Sequence, residues 1–322
     1  MADEEVATKA PESDAVEDSA IPNDSKAQEG PSMGEHCVTD RPTPAGEVPT
    51  GEMTKIAEVD VYVTKPADYP HAPSKLLLFL TGGTGVKSTN NQLQADKYAA
   101  AGFLVVMPDM FGGDPAPNTT TEASAEEQPS FLESVKLRVG ETAKSFMIDM
   151  WLARQTPEKV LPLVQKVLDG AKEEFADAVA NGGGVYGVGY CFGAKYILIL
   201  AGEGPDTGAQ GQPTTDEEQG MVKTGPQLKT GVIAHGTMIT KEDIAAVKVP
   251  VCMVCVENDQ LFPDETREEG KKLLEKTGID HEVKVYPGVP HGFAVLGDYD
   301  DEKIKASQKD AFEQMLGWLQ AH

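Results

Sequence analysis

Residues 184–196 have the sequence GVYGVGYCFGAKY, a short apolar run that leads through Gly189-x-Cys191-x-Gly193 into an apolar helical pattern. This arrangement is typical of a nucleophile elbow, with cysteine in the position where serine usually stands. Glycine tolerates the crowding and the unusual backbone angles of so tight a turn. The pattern predicts that Cys191 presents its sulfur at a helix N-terminus, where the helix dipole favours the nucleophilic thiolate. An isolated motif of this kind fits a glycine-rich turn around a buried, inert cysteine equally well.

Two candidate partners of Cys191 follow downstream, each just after a predicted strand. The apolar run 249–256 precedes Asp259, and the strand-like run 283–286 precedes a loop that carries His291. Nucleophile, acid and histidine follow one another along the chain in this order in the α/β-hydrolases. The order predicts that Cys191 attacks, His291 transfers the proton and Asp259 orients the imidazole.

A second histidine competes for the role of the base. His235 stands at the end of the apolar run 231–234, which also predicts a strand. Since histidine comes last in the triad order, His235 fits the pocket wall better than the catalytic position.

With these motifs in hand, the chain resembles the dienelactone hydrolase family in its fungal branch, over residues 49–319. The resemblance rests on four motifs, which are GYCFG at 189–193, PDMFxGD at 108–114, END at 257–259 and HGF at 291–293. It implies an α/β-hydrolase fold, with a mostly parallel central sheet and helices on both faces. It also implies an enzyme that cleaves small carboxylic esters or lactones through a cysteinyl acyl-enzyme, with no metal and no organic cofactor.

Hydrolases of this architecture stabilise the oxyanion with two backbone N–H groups. The sequence predicts these donors at Phe192, directly after the nucleophile, and at Gly83, in the glycine-rich loop that follows the apolar run 75–80. The residues expected to line the substrate pocket are Gly82, Phe111, Tyr190, His235 and Phe293.

The chain departs from the bacterial members that it resembles at positions that bear on substrate choice. Those relatives have a glutamate at the position of Gly82 in this chain. They also have two arginines that bind the substrate carboxylate, at the positions of Gly113 and Val295. In the fungal branch the second arginine often stands one residue later, where this chain has Leu296. Without these cations, neutral substrates are expected to react faster than carboxylates. The missing glutamate leaves a second hypothesis open, namely a binding or sensing protein whose Cys191 is a redox-sensitive thiol.

Composition excludes several other classes. A formal net charge of −24 disfavours binding to nucleic acid or to an anionic membrane. No apolar run is long enough for a membrane span, and the N-terminus lacks the apolar core of a signal peptide. The cysteines are too few and too scattered for a disulfide framework: Cys37, Cys191, Cys252 and Cys255. We expect a soluble cytoplasmic protein, present as a monomer or a weak dimer.

The sequence divides into a tail and one domain. Residues 1–36 are rich in acidic residues and have little to bury, which predicts a disordered acidic tail. Residues 37–322 are expected to form a single α/β-hydrolase domain. Within it, the polar, glycine-rich segment 202–227 is predicted to be a surface insertion.

Three local patterns give more detailed expectations. Lys55–Val63 alternates as one strand with one exposed face, and Glu158–Ala180 has apolar residues at the spacing of one helix. Cys252 and Cys255 fall inside a predicted strand, where they would point to opposite faces of the sheet. That placement argues against a redox-active or zinc-binding Cys-x-x-Cys motif.

Overall fold

The computed structural model describes residues 40–117, 147–205 and 223–322. The predicted acidic tail, 1–36, lies outside these residues, as does most of the predicted insertion, 202–227. Both therefore stay predictions. At the ends of the insertion, Gly204–Pro205 and Lys223–Thr224 pair as a two-residue antiparallel ladder.

Short apolar runs form the central strands, which are buried along their whole length, as expected where helices cover both faces of a parallel sheet. In chain order the strands are β1 (Glu52–Ile56), β2 (Val59–Thr64), β3 (Lys75–Leu80), β4 (Phe103–Pro108), β5 (Tyr186–Tyr190), β6 (Gly204–Pro205), β7 (Lys223–Thr224), β8 (Thr230–Ala234), β9 (Val251–Val256) and β10 (His281–Tyr286).

Eight of these strands form one sheet in the order β1-β2-β4-β3-β5-β8-β9-β10. The pairs β1–β2 and β2–β4 are antiparallel, and the remaining pairs are parallel. The carboxyl ends of β3, β5, β8, β9 and β10 therefore meet at one edge of the sheet. Ligands of open α/β sheets bind at this edge, and here it carries the loops that hold Cys191, Asp259 and His291.

Helices follow most of the parallel strands. They are α1 (Thr89–Ala100), α2 (147–154 in its described part), α3 (Pro157–Glu174), α4 (Ala176–Gly182), α5 (Phe192–Leu200), α6 (Lys241–Ala245), α7 (Asp264–Thr277) and α8 (Glu302–Ala321). None of the helices in the described part of the chain combines the length and the apolarity that a bilayer crossing requires.

The helices cover both faces of the sheet. Alternate side chains of β3 point to opposite sides, because successive residues of a strand do so. Leu77 and Phe79 join a core cluster with α1 and α8, whereas Leu76 and Leu78 join a second cluster with α2 to α7. This arrangement confirms the predicted α/β-hydrolase architecture.

One strand prediction is wrong. The segment Lys55–Val63 is not one strand but parts of β1 and β2, which pair with Ile56 opposite Val59. The two residues between them, Ala57 and Glu58, have positive φ angles of 47° and 64°. A two-residue hairpin turn needs such angles. Neither residue is a glycine or asparagine, so the turn has no sequence signal, and the alternation continues across it.

One helix prediction is also wrong. The segment Glu158–Ala180 is divided between α3 and α4 at Phe175, whose φ and ψ of −116° and 42° are not helical. Phe175 is buried, so packing of its ring accompanies the break. The apolar spacing continues on both sides of Phe175, which is why periodicity alone predicts a single helix.

Candidate active site

Cys191 stands at the turn between β5 and α5. Its φ and ψ are 49° and −112°, a conformation that residues with a side chain rarely adopt. The Cys191 N–H donates to the carbonyl of Ala234 at 3.0 Å, and the Gly193 N–H donates to the carbonyl of Thr81 at 2.9 Å. These hydrogen bonds fix the turn to the strands on both sides of β5, and they stabilise the strained backbone conformation of Cys191.

The two glycines of the motif are required by space. A Cβ at Gly189 would lie 2.7 Å from the carbonyl oxygen of Gly193 and 2.8 Å from the Cα of Ala194. A Cβ at Gly193 would overlap the backbone carbonyl of Leu80. Backbone atoms cannot move aside as the end of a side chain can, so both positions need glycine, as expected of a nucleophile elbow.

His291 and Asp259 form a hydrogen-bonded pair at the same sheet edge. His291 Nδ1 lies 2.7 Å from Asp259 Oδ2, and both side chains are buried. The other carboxylate oxygen, Oδ1, accepts a hydrogen bond from the backbone N–H of Leu261 at 2.9 Å. The loop after β9 thus holds the carboxylate, and the carboxylate holds the imidazole of the loop after β10.

The environment of His291 favours its protonated form. Burial disfavours the charged imidazole, but the hydrogen bonds and negative charges of Asp259 and Cys191 outweigh it and raise the pKa of His291 to about 9. The ring therefore carries a proton at neutral pH that it can donate.

Thr237 is a site residue that sequence analysis missed. Its hydroxyl oxygen lies 3.3 Å from Cys191 Sγ and 3.4 Å from His291 Nε2, so that it connects the sulfur with the imidazole. Its backbone N–H donates to the Cys191 carbonyl at 3.1 Å. The residue comes from the loop after β8, and its place at the carboxyl end of a parallel strand was the only signal available.

The glycine-rich loop after β3 passes next to the sulfur. A Cβ at Gly82 would lie 3.2 Å from Cys191 Cβ and 3.8 Å from its Sγ. Gly83 follows in the same loop, and its carbonyl accepts the N–H of Ala116 at 2.9 Å. Phe192 is the first residue of α5, where backbone N–H groups have no partner inside the helix. The two amides proposed as oxyanion donors thus belong to the two backbone segments beside Cys191.

A narrow polar cavity opens beside Cys191. Gly82 and His235 lie in its wall together with Cys191. The other residues that line it are Asp40, Arg41, Thr84, Asn90, Asn91, Gly292, Val295, Leu296 and Tyr299.

Phe111, Tyr190 and Phe293 do not line this cavity, contrary to the prediction. Tyr190 stacks on Phe79 with 5.2 Å between ring centroids, and its hydroxyl lies 2.8 Å from that of Tyr98. The rings of Phe111, Tyr190 and Phe293 are all fully buried in core clusters, where large aromatic side chains stabilise the packing. The positions of these residues near strand ends correctly indicated the edge of the sheet where they lie. They did not indicate whether each side chain points into the cavity or into the core.

Phe111 and Phe293 have their own aromatic neighbours. The Phe111 ring packs against Trp151 at 5.1 Å and against Phe192 at 5.3 Å. Phe293 packs against Tyr286 at 5.2 Å. Both rings therefore support the loops of the site from inside the core.

The segment 40–43 contributes the charged part of the cavity wall, and sequence analysis missed it. Asp40 accepts a hydrogen bond from the Ser88 hydroxyl at 2.8 Å. The Asn90 amide donates to the Arg41 carbonyl at 2.7 Å, and the Arg41 guanidinium lies 4.9 Å from the centroid of the Tyr299 ring. The segment has no periodic pattern by which a sequence argument could find it.

Arg41 changes the expectation about substrate charge. The cavity was predicted to lack a cation because Gly113, Val295 and Leu296 replace the arginines of relatives. That premise is wrong, since Arg41 lines the cavity from a different part of the chain. Asp40 lines it too, and burial raises the pKa of this carboxyl against the opposing hydrogen bonds of Ser88 and Thr84. A strong preference for neutral substrates therefore no longer follows from the absence of a cation.

Comparison with protein families decides the relationship of the chain. Residues 59–211 and 219–322 match the dienelactone hydrolase family. The chain belongs to this family. The matched segments contain Cys191, Asp259 and His291, whereas Asp40 and Arg41 precede them.

Curated relatives cover most of the chain. The hydrolase pyvD of Aspergillus violaceofuscus is 29% identical over 269 residues, which are 84% of this chain and 89% of that protein. The dienlactone hydrolase 1 of Gibberella moniliformis is 26% identical, with coverage of 84% and 87%. The carboxymethylenebutenolidase homolog of Rattus norvegicus is 23% identical, with coverage of 84% and 90%. These relatives confirm the predicted resemblance, including its fungal members.

Solved structures share the fold. A dienelactone hydrolase-like promiscuous phosphotriesterase from metagenomic libraries matches with a TM-score of 0.54 at 16% identity, over 85% of this chain and 99% of its own. Esterase 2 of Thermogutta terrifontis, with propionate bound, matches with a TM-score of 0.52 at 15% identity, over 84% and 96%. At such low identity the likeness supports the architecture alone.

The other cysteines in the described part of the chain lie in the core. Cys252 and Cys255 belong to the clusters on opposite faces of the sheet, as predicted from their positions in the strand. Burial raises the pKa of both thiols, that of Cys255 to about 12. Within the same residues, no group of three or more His, Cys, Asp or Glu side chains is arranged to hold a metal ion.

Proposed function

We propose that this member of the family hydrolyses carboxylic esters or lactones with Cys191 as the nucleophile, His291 as the acid and base, and Asp259 as the residue that orients His291. The observation that carries the proposal is the connected set of contacts from Asp259 Oδ2 to His291 at 2.7 Å and from His291 through Thr237 to the sulfur of Cys191. A nucleophile, a base and an orienting group in contact are what covalent catalysis of acyl transfer requires.

The first half of the reaction forms a thioester. The Cys191 thiolate attacks the carbonyl carbon, and the carbonyl oxygen takes the negative charge. The N–H groups of Phe192 and Gly83 donate hydrogen bonds to this oxyanion. As the carbon–oxygen bond to the alcohol breaks, His291 gives the proton on Nε2 to the leaving oxygen, while the acyl group stays on sulfur.

The second half restores the enzyme. The neutral His291 takes a proton from a water molecule, whose oxygen attacks the thioester carbonyl. The carbon–sulfur bond then breaks, the carboxylic acid leaves, and the sulfur departs as a thiolate. Asp259 stabilises the imidazolium that forms in this half of the reaction.

A rapid-mixing experiment with p-nitrophenyl acetate tests the proposal. If an acyl-enzyme forms on Cys191, the first turnover releases p-nitrophenolate in a burst that matches the enzyme concentration and precedes a slower steady state. The alternative, a redox-sensing binding protein without hydrolysis, predicts no steady-state turnover, because a reactive thiol is acetylated once and is not regenerated. A burst that persists after alkylation of Cys191 by iodoacetamide would contradict the assignment of the nucleophile.

The pH dependence of kcat/KM is the first prediction. We expect kcat/KM to fall as the pH rises through about 9, because above the pKa of His291 the imidazole has no proton for the leaving group. Asp259 raises this pKa, so Asp259→Asn should move the alkaline limb to lower pH. The matched control is Asp280→Asn, which alters a surface pair with His322 at 3.1 Å and should leave the profile unchanged. An unshifted limb in Asp259→Asn would contradict the role of Asp259.

Thr237 supplies the second prediction. Thr237→Val should lower kcat/KM about tenfold or more, because hydrogen bonds to charged groups contribute about 1.5–3 kcal/mol. Thr237→Ser keeps the hydroxyl and should retain activity within about threefold. The rate of Cys191 alkylation by iodoacetamide, measured against pH, should fall in the valine variant and recover in the serine variant. Loss of activity in Thr237→Ser but not in Thr237→Val would indicate that the methyl group, and not the hydroxyl, matters.

A further inference from the structure

His235 is a buried polar residue that the proposed mechanism does not use. Its side chain is 1% exposed, and neither Nδ1 nor Nε2 has a hydrogen-bond partner on another described residue. Buried polar side chains in native proteins are almost always hydrogen-bonded. With no hydrogen bond to the side chain or backbone of another described residue, the ring can take a partner from outside the protein.

The position of the ring limits where such a partner can lie. Tyr190 and Phe293 pack on it with centroid distances of 5.8 Å and 6.2 Å, and the His291 ring lies 5.0 Å away. His235 also lines the cavity that contains Cys191. A group that reaches the His235 nitrogens therefore enters through the cavity, next to the reacting sulfur.

The charge of the ring limits which groups can bind. Burial lowers the pKa of His235 well below its usual value, and the positive charge of His291 lowers it further. A neutral imidazole has one donor nitrogen and one acceptor nitrogen. A carboxylate could use only the donor and an ammonium group only the acceptor, whereas a hydroxyl group can bond to either.

We infer that His235 determines specificity by hydrogen bonding a hydroxyl group that the substrate carries close to its scissile carbonyl, because one cavity contains both His235 and Cys191. The inference rests on the proposed function, since it names the substrate class of the same site. The cavity has a volume of about 30 Å³, which is room for one or two water molecules. A hydroxyl group can replace water at the ring, whereas a methyl group would leave the nitrogens unpaired.

Matched lactones test the inference. The hydroxyl probes are α-hydroxy- and β-hydroxy-γ-butyrolactone, and the α-methyl and β-methyl compounds are controls of similar size. For at least one pair, the wild-type protein should show a kcat/KM about tenfold or more in favour of the hydroxyl compound, as one hydrogen bond would provide. In His235→Phe the ratio should fall to within about twofold, since phenylalanine offers no donor or acceptor.

Two further variants separate hydrogen bonding from packing. His235 has a φ of 37°, a region in which asparagine is among the better tolerated residues and phenylalanine is strained. His235→Asn keeps a donor and an acceptor and should retain part of the preference even if His235→Phe does not fold. Phe293→Leu changes a ring that packs on His235 and should leave the preference intact. Loss of the preference in Phe293→Leu but not in His235→Asn would overturn the inference in favour of cavity shape.

Binding to the Cys191→Ala variant distinguishes failure of the inference from failure of the proposed function. Calorimetry should show tighter binding of the hydroxyl lactone than of its methyl partner, and addition of His235→Phe should remove the difference. If the hydroxyl lactone binds more tightly in this way but the wild-type protein shows no turnover, the proposed hydrolysis is contradicted and the inference about His235 is supported. Equal binding of the hydroxyl and methyl compounds would overturn the inference. A preference for a lactone with a free carboxylate would also overturn it, and would indicate that Arg41 determines specificity.

Discussion

We expect Cys191→Ala to lower kcat for p-nitrophenyl acetate by at least about 10⁴-fold, because removal of a covalent nucleophile eliminates the whole acyl-enzyme route. The fold should persist, since the change removes a single sulfur atom from the side chain of a residue whose backbone is held by Ala234 at 3.0 Å. The measurement is steady-state turnover, with circular dichroism and the melting temperature recorded on the same sample.

The matched control for this prediction is Cys255→Ala. Cys255 is as buried as Cys191, at 1% against 3% exposure, but it lies within β9, away from the sheet edge. We expect this control to keep kcat within about twofold, because it removes no group that the reaction uses. A folded Cys191→Ala protein with a tenth or more of the wild-type rate would exclude Cys191 as the nucleophile.

The largest expected effect on stability is that of Gly193→Ala. The new Cβ would overlap the carbonyl of Leu80, which belongs to a central strand of the sheet and is not free to move. Overpacking of a core typically costs about 1–3 kcal/mol, and a clash with fixed backbone belongs at or above the upper end. We therefore expect the free energy of unfolding, measured by urea denaturation, to fall by about 3 kcal/mol or more.

Gly317→Ala is the control for the glycine prediction. Gly317 lies on the exposed side of α8, and a Cβ there would have no atom within 4 Å. Alanine in a helix interior is favoured over glycine, so the free energy of unfolding should rise by about 0.5–1 kcal/mol. A Gly193→Ala protein as stable as the wild type would mean that the elbow is less tightly packed than its geometry indicates.

The features that could be predicted from the sequence are those with local causes. Gly189 and Gly193 reflect a turn that excludes side chains, and the apolar runs before Asp259 and His291 reflect strands buried on both faces. Because parallel strands bring their carboxyl ends to one edge, the chain order predicted that the three candidate residues share that edge, and the structure confirms the α/β-hydrolase architecture that the family resemblance implied. The same features supported the family resemblance, which comparison confirms.

The rest depended on contacts between segments that are distant along the chain. Thr237 lies beside Cys191 because the loops after β5 and β8 meet at one edge of the sheet. Arg41 lines the cavity beside Cys191 because the segment 40–43 packs against the same edge. Neither residue belongs to a periodic pattern or to a spacing that marks a site. The direction of a side chain such as Tyr190, which points into the core and not into the cavity, is likewise set by the packing of its neighbours. Local sequence therefore specifies where the chain turns and which faces are buried, whereas the walls of the site follow from how those faces come together.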